Sequence, residues 1–107
     1  MNKVMLIGRL GRDPEIRFLP SGAAAVSFSL ATSKKDKEKN TITQWHIIKT
    51  FGKLAESCGE FLHKGSQVFI EGEIEYREYT NKKGEEKKVT EILAFNVQFL
   101  DKKEESK

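Results

Sequence analysis

The sequence predicts an all-β fold, a small five-stranded barrel with one helix set between the third and fourth strands. Three observations lead there. Apolar and polar residues alternate along most of the chain, the period of strands that bury one face. Only one stretch, after Gly52, repeats its apolar residues at helical spacing. Gly, Pro and Asn stand where a curved sheet must turn or bend.

Composition bounds the answer before any element is placed. The 107 residues fit one domain, expected over residues 1–100 and followed by a short charged extension over 101–107. A hydrophobic fraction of 37% against a charged fraction of 33% leaves a small core, or one completed at a subunit interface. The net charge of +3 averages two unlike parts. Residues 1–70 hold 11 Lys or Arg against 6 Asp or Glu, whereas residues 71–107 hold 8 against 10. Positive charge is therefore enriched in the first part, which favours an anionic partner there. A single cysteine, Cys58, excludes an internal disulfide and suits a reducing compartment, so a cytoplasmic location is expected. No apolar run approaches the roughly 18 residues of a membrane span, and residues 4–7 are too short for a signal-peptide core.

The first strand is expected over residues 2–10. Its continuous apolar centre, Val4 to Ile7, suggests burial on both faces or pairing at a subunit contact. Gly8 and Gly11 interrupt it, as glycine does at bulges and barrel corners. Asp13-Pro14 makes a turn, residues 15–19 a short extension, and Pro20-Ser-Gly22 a second turn. In the second strand, residues 24–32, Val26, Phe28 and Leu30 alternate with Ser27, Ser29 and Ala31. That small face leaves room for a ligand or another strand. Residues 34–40 are a mixed charge run without apolar period, expected as a solvated, mobile loop. Its lysines precede Trp45 by a few residues, so Lys34 and Lys35 are candidates for phosphate contact.

The third strand, residues 41–51, carries the chemistry. Side-chain alternation puts Trp45, Ile47, Lys49 and Phe51 on one face and Gln44, His46, Ile48 and Thr50 on the other. Aromatics interleaved with a cation suit single-stranded nucleic acid, whose bases offer flat faces and whose phosphates need positive charge. Burial of both aromatics in a core fits the same pattern. After Gly52, the apolar residues Leu54, Ala55, Cys58, Phe61 and Leu62 predict the helix, with Gly65 as its stop signal. The fourth strand follows over residues 67–80, with Val68, Ile70, Ile74 and Tyr76 on one face and Phe69, Arg77 and Tyr79 on the other. Asn81-Lys-Lys-Gly84 turns it back into the fifth, where Leu93, Phe95, Val97 and Phe99 alternate. Three strands, a helix and two more strands in a bent antiparallel meander give the order of a five-stranded OB barrel.

Catalytic and metal-binding constellations are not evident. His46 and His63 lie on different elements, without further ligands for zinc. Cys58 and His63 are five apart on a helix, about 140° out of line, so they do not form a nucleophile and base pair. Gly8-Arg-Leu-Gly11 lacks the third glycine of a dinucleotide loop, and no P-loop triplet is present. Glu71, Glu73 and Glu75 alternate onto one strand face, the pattern of a solvated surface. A binding module without cofactor or metal is expected rather than an enzyme.

The residues then carry a specific resemblance. Asn2-Lys-Val, Gly8-x-Leu-Gly-x-Asp-Pro-Glu15, Leu30-Ala-Thr-Ser33, Trp45-His46, Phe51-Gly-Lys-Leu-Ala-Glu56, Lys64-Gly-Ser-Gln-Val68 and Ile70-Glu-Gly72 stand in the order and spacing of the bacterial and mitochondrial single-stranded DNA-binding proteins. The chain resembles that family over nearly the whole domain. The resemblance implies an OB barrel, a homotetramer and binding of single-stranded DNA with little sequence preference, in replication, recombination and repair. It implies stacking roles for Trp45, Phe51 and Tyr79, basic positions at or near Lys3, Arg17, Lys53 and Arg77, and subunit contacts on the first strand (Asn2, Val4, Leu6) and at His46. A dimer that bridges DNA and partners, like the tailless primosomal replication protein, is the neighbouring alternative; an OB module that binds only protein is the distant one. Family members end in a tail with an acidic tip and a terminal aromatic, whereas this chain ends in Asp101-Lys-Lys-Glu-Glu-Ser-Lys107. Tail-mediated docking of repair and replication enzymes is therefore not expected.

Overall fold

The elements follow in the order β1 (Val4–Leu10), β2 (Glu15–Phe18), β3 (Ala24–Lys35), β4 (Thr41–Phe51), α1 (Gly52–Phe61), β5 (Gln67–Thr80) and β6 (Glu86–Phe99), in a computed structural model that describes residues 1–101. Five strands close on themselves: β1 pairs with β5, β5 with β6, β6 with β4, β4 with β3, and β3 with β1. The expected OB barrel is present, with its helix between β4 and β5, the third and fourth barrel strands. The short extension after Pro14 is itself a strand, β2, laid along β3 from Glu15 opposite Ser27 to Phe18 opposite Ala24.

The expected antiparallel meander is corrected at one seam. A ring of five strands cannot alternate direction all the way round, so one neighbouring pair must run parallel. That pair is β4 and β6, joined only at Ile48 opposite Ile92 and Lys49 opposite Leu93.

Inside the ring, Val26, Phe28 and Leu30 of β3 meet Ile48 of β4, Val68 and Ile70 of β5, and Ile92 and Ala94 of β6. The helix adds Ala55 and Cys58, and Leu62 follows at its end. Its main packing partner is β3. Thr50 is buried too, and its hydroxyl donates to the Ala94 carbonyl at 3.2 Å. Two glycines let backbones approach where the sheet bends. A Cβ at Gly8 would stand 2.2 Å from the Ala31 carbonyl oxygen, where β1 crosses to β3. A Cβ at Gly72 would stand 2.2 Å from that of Leu93.

Beside Gly72 the ladder carries a bulge. Glu71 faces Asn96 and Gly72 faces Ala94, which leaves Phe95 without a partner. One extra residue reverses the inside–outside parity of a strand. Ile92 and Ala94 therefore point inward before it and Val97 packs against the core after it. This corrects the expected alternation of Leu93, Phe95, Val97 and Phe99, since Phe95 is 56% exposed.

Other corrections concern ends and edges. β1 alternates instead of burying both faces: Val4 and Leu6 lean on the core, while Met5 and Ile7 face outward. Tyr76 does not join Val68 and Ile70 inside, because the β5–β6 hairpin runs on past the barrel. The helix stops at Leu62, whose N–H donates to the Cys58 carbonyl, ahead of Gly65. Gly65 instead adopts φ +90° in the following turn and donates to the Leu10 carbonyl. The expected loop is shorter by two residues: Lys34 and Lys35 belong to β3, opposite Ile42 and Thr41. Only residues 36–40 turn, around an Asp36 carboxylate that accepts from the N–H groups of Glu38 and Asn40. At the other end, Asp101 accepts from the Gln67 N–H at 3.0 Å. The rest of the expected extension, 102–107, lies outside the described residues.

Candidate nucleic-acid interface

The parity of β4 decides whether this face is exposed or core. Ile48 and Thr50 point inward, so Trp45, Ile47, Lys49 and Phe51 point outward, with Trp45 60% and Phe51 43% exposed. Opposite them on β3 stand Ala31, Ser29, Ser27 and Ala25, in that order. Large side chains on one strand and small ones on its neighbour make a trough open to solvent.

Three depressions run along this trough. The first, of about 310 Å³, lies between Trp45, Ser29, Gly11 and Arg12. The second, of about 240 Å³, is lined by Arg12, Ser27, Ser29 and Ile47 among others. The third, of about 160 Å³, brings Arg17 of β2 together with Lys49 and Phe51. The indole rests on Gly11, where a Cβ would come within 2.5 Å of the ring. Glycine at position 11 thus lets the ring lie against the β1–β2 connection.

A second group reaches the trough from the β5–β6 hairpin. Glu91 of β6, only 5% exposed, accepts from Arg77 Nε at 3.2 Å and Arg77 Nη2 at 3.0 Å. The same carboxylate accepts from Lys49 Nζ at 3.4 Å. Hydrogen bonding by Arg77, helped by the positive charges of Lys49 and Arg77, holds its carboxyl below the usual carboxylate range despite burial. Each cation also lies near a ring, Lys49 at 5.9 Å from the centre of Phe51 and Arg77 at 5.5 Å from that of Tyr79.

The structure thus links Trp45, Phe51, Arg17, Lys49, Arg77 and Tyr79, and distributes the other candidates. Lys53 sits in the first turn of α1, just past Phe51. Lys34 and Lys35 stand at the far end of β3, where Lys35 donates to the Thr41 hydroxyl. Lys3 pairs with Glu71, whose carboxyl is held low by that bond. Of the proposed subunit contacts, the Asn2 side chain exchanges two hydrogen bonds with the Ile74 backbone. His46 Nε2 lies 2.8 Å from the Thr32 hydroxyl. Sequence reasoning missed Arg12 and Glu91. Arg12 lies in a connection with no period to read; Glu91 left a signal, a carboxylate standing immediately before the apolar run Ile92-Leu93-Ala94-Phe95.

A closed OB barrel with outward aromatics beside cations over a floor of small residues defines a binding module for flat-faced, anionic ligands. Its family agrees with that class. The chain belongs to the single-strand binding protein family, which it matches over residues 1–100. It is 49% identical over 104 residues to a single-stranded DNA-binding protein of Xylella fastidiosa, an alignment covering 94% of this chain. The chain spans 63% of that relative's length.

Proposed function

We propose that this protein binds single-stranded DNA with little sequence preference, protecting it during replication, recombination and repair, and performs no catalysis. The exposed Trp45–Phe51 row carries the proposal. Stacking serves any base, since every base has a flat face, and the cations beside the row serve any phosphate. Membership of the single-strand binding protein family supports the same ligand. No helix among the described residues is long and apolar enough to cross a membrane; a cytoplasmic site of action belongs to the proposal.

Self-association completes it. Along Val4 to Gly8, β1 is paired on one side only, by β5, because β3 joins it just at Arg9 and Leu10. An open strand edge satisfies its backbone groups by pairing with another copy, and Met5 and Ile7 offer apolar area beside it. A homotetramer built through such contacts is the proposed assembly.

Trp45 is the only tryptophan, so its emission reports one place. Single-stranded DNA should quench it, and duplex should compete poorly because its bases are already stacked. Trp45→Ala should cost about 1–3 kcal/mol of binding per stacked base, with a melting midpoint close to wild type because the ring is exposed. Absence of quenching, or no loss of binding in the variant, would refute the proposal.

A further inference from the structure

We propose that Lys49 and Arg77 form a single phosphate seat and that Glu91 is the positioning residue that holds its two cations together. The proposal rests on single-stranded DNA binding and deepens it. In the barrel β4 and β5 are not neighbours, since β6 lies between them. Among the described residues, Glu91 of β6 is what joins a cation from each: Lys49 Nζ and Arg77 Nε both converge on its Oε1 atom, and Arg77 Nη2 takes Oε2.

Buried carboxylate beneath and half-exposed guanidinium above is the arrangement that points cations outward. Glu91 occupies one edge of Arg77 and leaves the Nη1 protons for a ligand, while Lys49 keeps two of its three. Without the shared anion the two cations would repel each other, and their long side chains would have to be ordered when the ligand arrives. Each cation of the seat lies beside a ring, Lys49 by Phe51 and Arg77 by Tyr79, so a phosphate held there has stacking rings near both of its cations. Two cations and one anion leave a single net positive charge. The trio should therefore neutralise one phosphate, not two.

The salt dependence of Trp45 quenching by an oligothymidylate tests this. Lys49→Ala and Arg77→Ala should each lower the slope of log affinity against log salt by about 0.7, and the triple variant Lys49→Ala/Arg77→Ala/Glu91→Gln, from which the bare carboxylate is also gone, by no more than that. A fall of roughly 1.4 in the triple variant, the value for two independent phosphates, would overturn the seat. Glu91→Gln alone should weaken binding by roughly two- to fivefold, the range of partly exposed ion pairs, and should no longer weaken it once Lys49 and Arg77 are both alanine. A loss that persists in that background would make Glu91 merely structural, and tighter binding in the otherwise wild-type protein would make it a repelling charge; either overturns its positioning role. Should Glu91→Gln fail to fold, Glu91→Ala takes its place in both tests. Wild-type protein that shows no binding at all would sink the parent proposal instead.

Discussion

One methyl group at position 11 tests how Trp45 is presented. Gly11→Ala places a Cβ where the indole now lies, so the ring must swing away from its support. Both groups are at the surface, so the melting midpoint should move little. Tryptophan emission should shift and affinity for single-stranded DNA should fall, by less than in Trp45→Ala; an unchanged titration would show that stacking does not need this ring orientation. At this scale the sequence was legible where periodicity speaks. The two-residue alternation of β4 placed Trp45 and Phe51 together, and left open only whether their face was inside or outside. It could not reveal Arg12, or that Lys49 and Arg77 share Glu91, because a carboxylate in a strand says nothing of the partners that other strands bring to it.

Strands were legible as elements, whereas their ends and one phase change were not. Charged composition at residues 34–40 reads as loop, yet pairing with β4 holds Lys34 and Lys35 in β3, since a hairpin ladder overrides the preferences of exposed side chains. Phe95 escaped because alternation assumes an unbroken pleat, and the bulge opposite Gly72 breaks it. The ordered turn at Asp36 can be tested. Asp36→Ala removes the acceptor of two backbone N–H groups while Lys39 must still hold φ +68°. Differential scanning calorimetry should show a loss of about 0.5–1.5 kcal/mol for each hydrogen bond that water does not replace. If Lys34 and Lys35 touch phosphates, the salt slope of binding should fall as well, with the maximal Trp45 quench preserved.

For the whole molecule, the OB order of strands and helix was readable because each element carried its own period, whereas a small core and an apolar first strand only motivate the proposed assembly. Light scattering at micromolar concentration should give a multiple of the 12.2 kDa chain, with four copies expected; Ile7→Asp should reduce it, and a wild-type mass of 12.2 kDa would refute self-association. Cys58 reports on global stability. Burial raises its thiol from an ordinary 9.0 to about 11. Between those values the unfolded chain releases a proton that the folded one keeps, so stability must fall as pH rises from 9.0 towards 11. The loss should approach about 2–3 kcal/mol at the upper end, at roughly 1.4 kcal/mol per pKa unit, and Cys58→Ala should flatten the decline in a urea melt. The closure of β1 on β5 also sets a timetable. Val4 must wait for Gly72, and the ring stays open until β6 joins β5 to β4. A nascent chain that has made only β1, β3 and β4 is an open sheet with its apolar face bare, so ring closure must wait for β5 and β6, and such long-range pairing is slow. On the ribosome, the ring can close only once β6 has emerged, and until then its future core is a surface that chaperones must be able to cover.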